Sequence, residues 1–168
     1  RNIHLSNNSL KTGEWNRQKF VGTELYGKQL GLIGFGKAAN EVAKRLAAFG
    51  MKIVFYDPYI EESKHEATKV DLDYLLQTSD VISIHVNKTK ETQNLIDSEA
   101  LNMIKEGGII VNTSRGGIID EKSLFELVDD KKIIFGGLDV YEKEPPVVGE
   151  FFSSSNIVTT PHLGASTK

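Results

Sequence analysis

The sequence predicts an α/β fold with a doubly wound, mostly parallel sheet that carries helices on both faces. From Lys28 onward, short apolar runs alternate with segments of helical periodicity, which is the rhythm of repeated β-α-β units. The apolar runs are unbroken in Ile, Val and Leu, as is typical of strands buried on both faces. With 168 residues, 39% of them hydrophobic, the chain is long enough for one domain with a substantial core.

Six apolar segments are predicted as strands, and four segments between them as helices. The strands are 29–34, 52–57, 80–86, 108–113, 133–140 and 156–160. The helices are 37–49, 71–77, 97–105 and 120–130. Apolar residues three and four positions apart identify the helices, as with Val42, Leu46 and Phe49 in the first of them.

The first 27 residues do not follow this rhythm and predict a helix followed by an irregular arm. The only tryptophan, Trp15, has no evident partner in the predicted sheet. Either Trp15 packs locally, or it belongs to an interface with another domain or subunit.

Composition argues against several classes of function. The net charge of −3 leaves no basic stripe for a nucleic acid, and no apolar run reaches the roughly 18 residues of a membrane span. The polar amino terminus is not a secretory signal, so a cytoplasmic location is the default expectation. Cysteine is absent, and no two of the four histidines have the spacing of a helical metal site, so we expect no metal.

A glycine motif lies where the first predicted strand meets the first long helix. Gly34 ends the strand and Gly36 begins the helix, which is where a Rossmann-type sheet binds the pyrophosphate of a dinucleotide. Ala39 takes the third glycine position, where alanine is tolerated. The alternative is a purely structural glycine turn.

Asp57 closes the second predicted strand about 20 residues beyond the glycines, where a carboxylate can accept hydrogen bonds from ribose hydroxyls. The same negative charge would repel a 2′-phosphate, so NAD is favoured over NADP. The alternative is that Asp57 serves only the turn before Pro58.

Three further residues follow later predicted strands and together indicate hydride transfer to a carbonyl. His162 can supply the proton, Glu144 can stabilise the protonated imidazole, and Arg115 can hold a carboxylate with two hydrogen bonds. Taken singly, each has another explanation: a surface ion pair for Arg115, a solvated charge for Glu144 and a loop histidine for His162. Their conjunction favours catalysis. His85 is interpreted as a core or strand-end histidine rather than a proton shuttle.

These residues lie in motifs that resemble the NAD-dependent D-isomer-specific 2-hydroxyacid dehydrogenases, among them most closely the D-3-phosphoglycerate dehydrogenases. The motifs span nearly the whole chain: SLKTGEWNRQKFVGTELYGKQLGLIGFG, YDP, VNTSRGGIIDEKSL, GLDVYEKEPP and TPHLGAST. The resemblance implies a catalytic arginine, glutamate and histidine at Arg115, Glu144 and His162. It also implies that Asp139 contacts the nicotinamide amide. The full set of implied cofactor contacts is Gly34, Gly36, Lys37, Ala38, Asp57, Val86, Thr113, Ser114, Arg115, Asp139, His162, Gly164 and Ala165.

The chain departs from the family pattern in two places. Lys37-Ala38-Ala39 replaces Arg-Ile-Gly after the second glycine, at the pyrophosphate contact. The HxPLTPET loop reads HVNKTKET, so Lys88 takes the place of leucine. A glutamate at 144, where the formate dehydrogenase branch is expected to use glutamine, argues against that branch.

The resemblance also implies an organisation and a partner. Residues 1–168 would form the NAD-binding domain, with 1–16 as a crossover helix, and the substrate-binding domain would lie outside this chain, leaving the isolated domain with little or no turnover. The substrate would be a small 2-hydroxy or 2-oxo acid, and 3-phosphoglycerate with 3-phosphohydroxypyruvate is the favoured pair. A homodimer is expected, with the Trp15 arm near its contact. The alternatives are a glyoxylate or hydroxypyruvate reductase, and a corepressor-like protein that senses NAD.

Overall fold

Seven parallel strands form one sheet in the computed structural model, which describes residues 2–63, 65–130, 132–147, 149, 152 and 154–167. The strands are β1 (Gln29–Ile33), β2 (Lys52–Tyr56), β3 (Ala67–Lys69), β4 (Val81–Ile84), β5 (Gly108–Asn112), β6 (Ile133–Leu138) and β7 (Ile157–Thr159). Their spatial order is β3-β2-β1-β4-β5-β6-β7. The chain therefore winds outward from β1 in one direction and then in the other, as expected for a doubly wound sheet.

Five α-helices accompany the sheet in the described part of the chain: α1 (Ile3–Lys11), α2 (Lys37–Ala47), α3 (Leu72–Thr78), α4 (Ser98–Met103) and α5 (Glu121–Asp129). The six predicted strands and four predicted helices are confirmed, each to within two residues at its ends. None of the helices in the described ranges is long and apolar enough to cross a membrane.

Two hydrophobic cores lie on opposite faces of the sheet. Strand β2 shows the division, because Ile53 and Phe55 pack into the core that contains α2, whereas Val54 packs into the core beneath α3, α4 and α5. This alternation follows from the two-residue period of a strand. Phe35, which follows β1, stacks on Phe55 with ring centroids 4.0 Å apart. The prediction of helices on both faces is confirmed.

The structure refines the predicted sheet in two details and corrects the prediction for Phe49. The sheet is entirely parallel rather than mostly parallel, and it has an additional edge strand, β3, that has no long apolar run to reveal it. Phe49 lies beyond the end of α2 and is 60% exposed. The fully buried residues of α2 are instead Ala39 and Ala43, whose small side chains let the helix approach the sheet closely.

The amino-terminal segment is a helix followed by an irregular arm, as predicted. Helix α1 has no buried residue, and the arm contains one 3₁₀ turn, Gln18–Phe20. Trp15 remains 79% exposed, so local packing does not bury it.

Candidate active site

The predicted functional residues gather at one edge of the sheet, because each follows the carboxyl end of a parallel strand. Gly34 follows β1 and Asp57 follows β2. Arg115, Glu144 and His162 follow β5, β6 and β7 in that order. The expectation that Arg115, Glu144 and His162 lie where strands end is confirmed, and their catalytic roles stay a prediction.

The glycine loop has one glycine that the fold requires and one that leaves open space. Gly34 has φ +84, and a Cβ there would lie 2.7 Å from Cγ1 of Val86. Gly36 is the N-cap of α2, and a Cβ there would meet no atom within 4 Å. The amino terminus of α2 therefore opens onto free space, where its unpaired N–H groups suit a phosphate.

Asp57 ties the glycine loop to the turn after β2. Its Oδ2 accepts a hydrogen bond from the N–H of Phe35 at 2.8 Å. Its Oδ1 accepts from the N–H groups of Tyr59 and Ile60 at 2.8 and 3.1 Å. The turn role considered for Asp57 is therefore present, and the carboxylate keeps lone pairs for a further donor.

A cavity of about 360 Å³ lies beside these groups, walled by Gly34, Gly36, Asp57, His85, Val86 and Asn87 among others. His85 lies just past the end of β4, as expected, and its Nε2 is 3.0 Å from Oγ of Ser83. Burial lowers the pKa of His85 below its ordinary value. The imidazole of His85 therefore forms part of the cavity wall in surroundings that disfavour its protonated form.

Glu144 and His162 form a direct pair. The Nδ1 atom of His162 lies 2.9 Å from Oε2 of Glu144, and the other carboxylate oxygen accepts the N–H of Tyr141 at 3.1 Å. The hydrogen bond with His162 holds the pKa of Glu144 below its ordinary value. Because this contact uses Nδ1, Nε2 is the nitrogen that can exchange a proton with a substrate.

Asp139 holds the turn that presents His162. That turn needs support because His162 has φ +55, which is uncommon for a residue other than glycine. The carboxylate of Asp139 accepts from the Thr160 hydroxyl and, at 2.7 Å each, from the N–H groups of Leu163 and Gly164. Burial alone would raise the pKa of Asp139, but these hydrogen bonds outweigh it and lower the pKa.

Asn112 shapes the turn that presents Arg115. Its side-chain amide donates to the backbone oxygen of Arg115 at 2.9 Å and accepts from Ser114 N–H at 3.0 Å. The Arg115 guanidinium is exposed, donates to the Ser114 carbonyl at 2.6 Å and forms no ion pair with any described residue. The surface ion pair considered for Arg115 is thus not formed within the described chain.

Gly116 brings the Arg115 turn into contact with the segment that carries Glu144. A Cβ at Gly116 would lie 1.7 Å from the backbone oxygen of Tyr141. Sequence reasoning missed the supporting roles of Asn112, Gly116 and Asp139. Two features of the sequence could have pointed to Asn112 and Gly116: an asparagine near the end of an apolar run, and two consecutive glycines after Arg115.

The remaining predicted cofactor residues occupy the same edge. Lys37 and Ala38 open α2, Thr113 and Ser114 belong to the Arg115 turn, and Ala165 follows Gly164. Across the described ranges, no group of three or more His, Cys, Asp or Glu side chains is arranged to hold a metal ion.

Comparison with known proteins identifies relatives over the whole chain. Residues 1–164 match the D-isomer specific 2-hydroxyacid dehydrogenase, NAD binding domain. The chain is 49% identical over 170 residues to a hydroxypyruvate reductase of Thermotoga maritima, covering 99% of this chain and 56% of that protein. It is 45% identical over 172 residues to D-3-phosphoglycerate dehydrogenase of Methanocaldococcus jannaschii, covering 100% and 33%. The chain thus spans between a third and just over half of these relatives.

Solved structures of similar fold agree with this family match. A glyoxylate reductase from Paecilomyes thermophila superimposes with a TM-score of 0.92 at 36% identity, covering 99% of this chain and 52% of that chain. An NAD-dependent formate dehydrogenase from Staphylococcus aureus in complex with NAD gives 0.93 at 31% identity, covering 99% and 51%. The chain therefore belongs to the D-isomer-specific 2-hydroxyacid dehydrogenases, as an NAD-binding domain of that family.

Proposed function

We propose that the intact protein is an NAD-dependent dehydrogenase of a D-2-hydroxy acid. The observation that carries the proposal is the Glu144–His162 pair, 2.9 Å apart, at the same sheet edge as the Arg115 turn and the glycine loop. This edge combines an imidazole that can donate a proton, a guanidinium with no ion-pair partner among the described residues, and a helix terminus suited to a phosphate. Those are the protein groups that reduction of a 2-oxo acid by a dinucleotide needs.

His162 is the proposed proton donor. The cofactor, when bound as NADH, would supply the hydride that reduces the carbonyl carbon, and it would leave as NAD. Nε2 of His162 gives its proton to the carbonyl oxygen, and Nδ1 keeps its hydrogen bond to Glu144. The imidazole leaves the step neutral, and the alcohol carries both the hydride and the proton. Oxidation runs these transfers in reverse.

Arg115 is the proposed anchor for the substrate carboxylate. The guanidinium is exposed and has no ion-pair partner among the described residues, so its fork is available for two parallel hydrogen bonds. The same charge draws electron density from the neighbouring carbonyl, which favours hydride arrival at its carbon.

The residues present fit NAD at the glycine loop. Open space at Gly36 leaves room for a pyrophosphate, and Lys37 supplies a positive charge beside it. Asp57 retains lone pairs for ribose hydroxyls and would repel a 2′-phosphate. We therefore propose that Asp57 makes the site selective for NAD over NADP, and that the other residues of the predicted cofactor set complete the contact.

The favoured substrate pair is 3-phosphoglycerate and 3-phosphohydroxypyruvate, because phosphoglycerate dehydrogenase motifs run through the chain and a relative of that name is 45% identical. Hydroxypyruvate or glyoxylate is the second candidate, supported by the 49% identical hydroxypyruvate reductase. A protein that binds NAD as a sensor, without turnover, is the third.

The intact protein is also proposed to cover this site and to dimerise. Glu144 and His162 are exposed, with 39% and 48% of their side-chain surfaces accessible, so a substrate domain has room to close over them. Without that cover, we expect this chain alone to bind NAD with little turnover. The apolar arm around Trp15 is the proposed contact between two copies.

The test is NADH oxidation by the intact protein with phosphohydroxypyruvate, hydroxypyruvate, glyoxylate and pyruvate, comparing the wild type with His162→Ala. We expect the variant to bind NADH with only a small loss of affinity, because His162 is one of many proposed cofactor contacts, and to lose between about 10² and 10⁴ in kcat. Preference for hydroxypyruvate would replace the phosphoglycerate assignment with the second candidate. NADH binding without turnover of any of the four acids would favour the sensor.

A further inference from the structure

Glu121 links the two catalytic segments from behind the site. It is the first residue of α5, which begins six residues after Arg115. Its Oε1 accepts the backbone N–H of Glu142 at 2.5 Å, two residues before Glu144. A side chain on the segment that carries Arg115 therefore holds the segment that carries Glu144.

The first turn of α5, which carries Glu121, is capped. Asp120 caps α5 by accepting hydrogen bonds from the N–H groups of Lys122 and Ser123 at 3.1 and 3.2 Å. The close approach of Gly116 to the Tyr141 carbonyl brings the two segments together at a second point. The carboxylate of Glu121 thus reaches Glu142 from the capped start of α5. Its oxygen accepts the backbone N–H of Glu142, which takes part in no helix or strand hydrogen bond.

Charged groups of two other segments, Lys88 and Glu142, act on Glu121. The Lys88 ammonium lies over Gly117, 2.6 Å from where a Cβ there would be, and the Glu142 side chain lies 3.7 Å from the same point. Burial and the Glu142 carboxylate raise the pKa of Glu121, while the Glu142 N–H and Lys88 act against them. Lys88, which stands where the family pattern has leucine, thus compensates part of the negative charge that gathers here.

We propose that Glu121 is a positioning residue for the Glu144–His162 pair: its hydrogen bond to Glu142 sets where the Glu144 carboxylate lies relative to Arg115. The proposal rests on the proposed function, since the pair must act in catalysis for its position to matter to turnover. Glu121 itself touches neither Glu144 nor His162 through a side-chain hydrogen bond, so it acts through the backbone of the Glu142–Glu144 segment.

Two readouts on the intact protein test this. Glu121→Ala removes the acceptor, and we expect kcat to fall by roughly 10- to 100-fold with an unchanged Kd for NADH, because misplacement of a catalytic group by about 1 Å has effects of that size. Glu121→Gln keeps an acceptor oxygen at the same reach and should restore most of kcat. Glu126→Gln, on the same helix and paired only with exposed Lys122, is the matched control.

The second readout does not depend on turnover. The N–H of Tyr141 donates to Glu144, so its hydrogen exchange reports whether that carboxylate is in place. Glu121→Ala should speed exchange of this amide at least about tenfold, and Glu121→Gln should not. Unchanged exchange and unchanged kcat in Glu121→Ala would overturn the positioning role, as would a kcat in Glu121→Gln as low as in Glu121→Ala. A wild type that turns over none of the acids, yet shows the exchange effect, would refute only the proposed function.

Discussion

At the scale of single residues, alanine substitutions of the two glycines in the cofactor loop should affect different properties: one the stability of the fold, the other the binding of NADH. Alanine at Gly34 must adopt φ near +84 and meet Val86, which should destabilise the fold by about 1–3 kcal/mol. Alanine at Gly36 meets no atom of the described residues within 4 Å, so the free energy of unfolding should change by less than about 0.5 kcal/mol. Its methyl group would occupy the space proposed for the pyrophosphate, so NADH affinity should fall at least about tenfold.

Chemical denaturation and NADH titration of both variants measure these effects. Gly36→Ala with unimpaired NADH binding would remove the glycine loop from the proposed cofactor site. Gly34→Ala with full stability would contradict the clash with Val86.

Asp139 should make the His162 turn sensitive to acid. In Asp139→Asn, one acceptor oxygen becomes a donor that faces N–H groups, which should cost about 1–3 kcal/mol of stability at neutral pH. The pKa of Asp139 is lower in the folded chain than its ordinary value of 3.8. Its charge therefore stabilises the fold above that pH, and the contribution is lost as the pH falls toward the folded-state pKa.

The measurement is the free energy of unfolding of wild type and Asp139→Asn from neutral pH down to about pH 3. The difference between them should be largest at neutral pH and should shrink below the ordinary pKa. Asp129→Asn, at the exposed end of α5, serves as the control. A difference that grew in acid would reverse the sign argued for Asp139.

At the scale of elements, the contact between the Arg115 turn and the Tyr141–Glu144 segment depends on Gly116. A side-chain carbon there would overlap the Tyr141 carbonyl, and backbone cannot move aside as a flexible side chain can. We expect Gly116→Ala to lower the free energy of unfolding by more than about 2 kcal/mol, within the upper range for overpacked sites, and to lower kcat as well.

Gly136→Ala in β6 is the control, because a Cβ there would make only ordinary contacts, the nearest 3.6 Å from Ile157. Thermal unfolding and turnover of the two variants test whether the contact at Gly116 matters for stability and for catalysis. Equal behaviour of Gly116→Ala and Gly136→Ala would mean that the two segments can separate without consequence.

Elements differ in how readily the sequence predicts them, for physical reasons. Strands β1 and β4 are mainly apolar because both of their faces are buried, and a mainly apolar run can be recognised in the sequence. Strand β3 has the sequence Ala67–Lys69 at the sheet edge, with no buried residue, so nothing in its composition sets it apart from a loop. The exposure of Phe49 depends on where α2 ends, and periodicity alone does not give that boundary.

At the scale of the whole molecule, the sheet turns separated motifs into one site. Parallel strands place every following loop at one edge, so Arg115, Glu144 and His162 could be assigned to that edge from strand order alone. The supporting bonds of Asp139 and Asn112 could not, because each depends on the path of a loop. Sequence reasoning therefore reached the residues proposed to carry the chemistry, but it did not predict which side chains hold them in place, and it expected Asp139 only as a cofactor contact.

The exposed apolar arm should decide the oligomeric state of the intact protein. Trp15, Val21 and Tyr26 are each more than three-quarters exposed, although apolar side chains of this size are usually buried. If two copies bury this arm, Trp15→Glu should raise the dimer dissociation constant at least about 30-fold, which corresponds to about 2 kcal/mol. Phe49→Glu alters an exposed aromatic residue outside the arm and should leave the dimer intact.

Sedimentation velocity across a range of concentrations distinguishes a dimer formed through the arm, a dimer formed elsewhere and a monomer. A wild type that stays monomeric at high concentration would refute the dimer. Weaker association in Phe49→Glu but not in Trp15→Glu would move the contact away from the arm. Because Trp15 belongs to neither hydrophobic core, Trp15→Glu should change assembly without changing the unfolding of the domain. That separation tests whether the amino-terminal segment serves the interface rather than the fold.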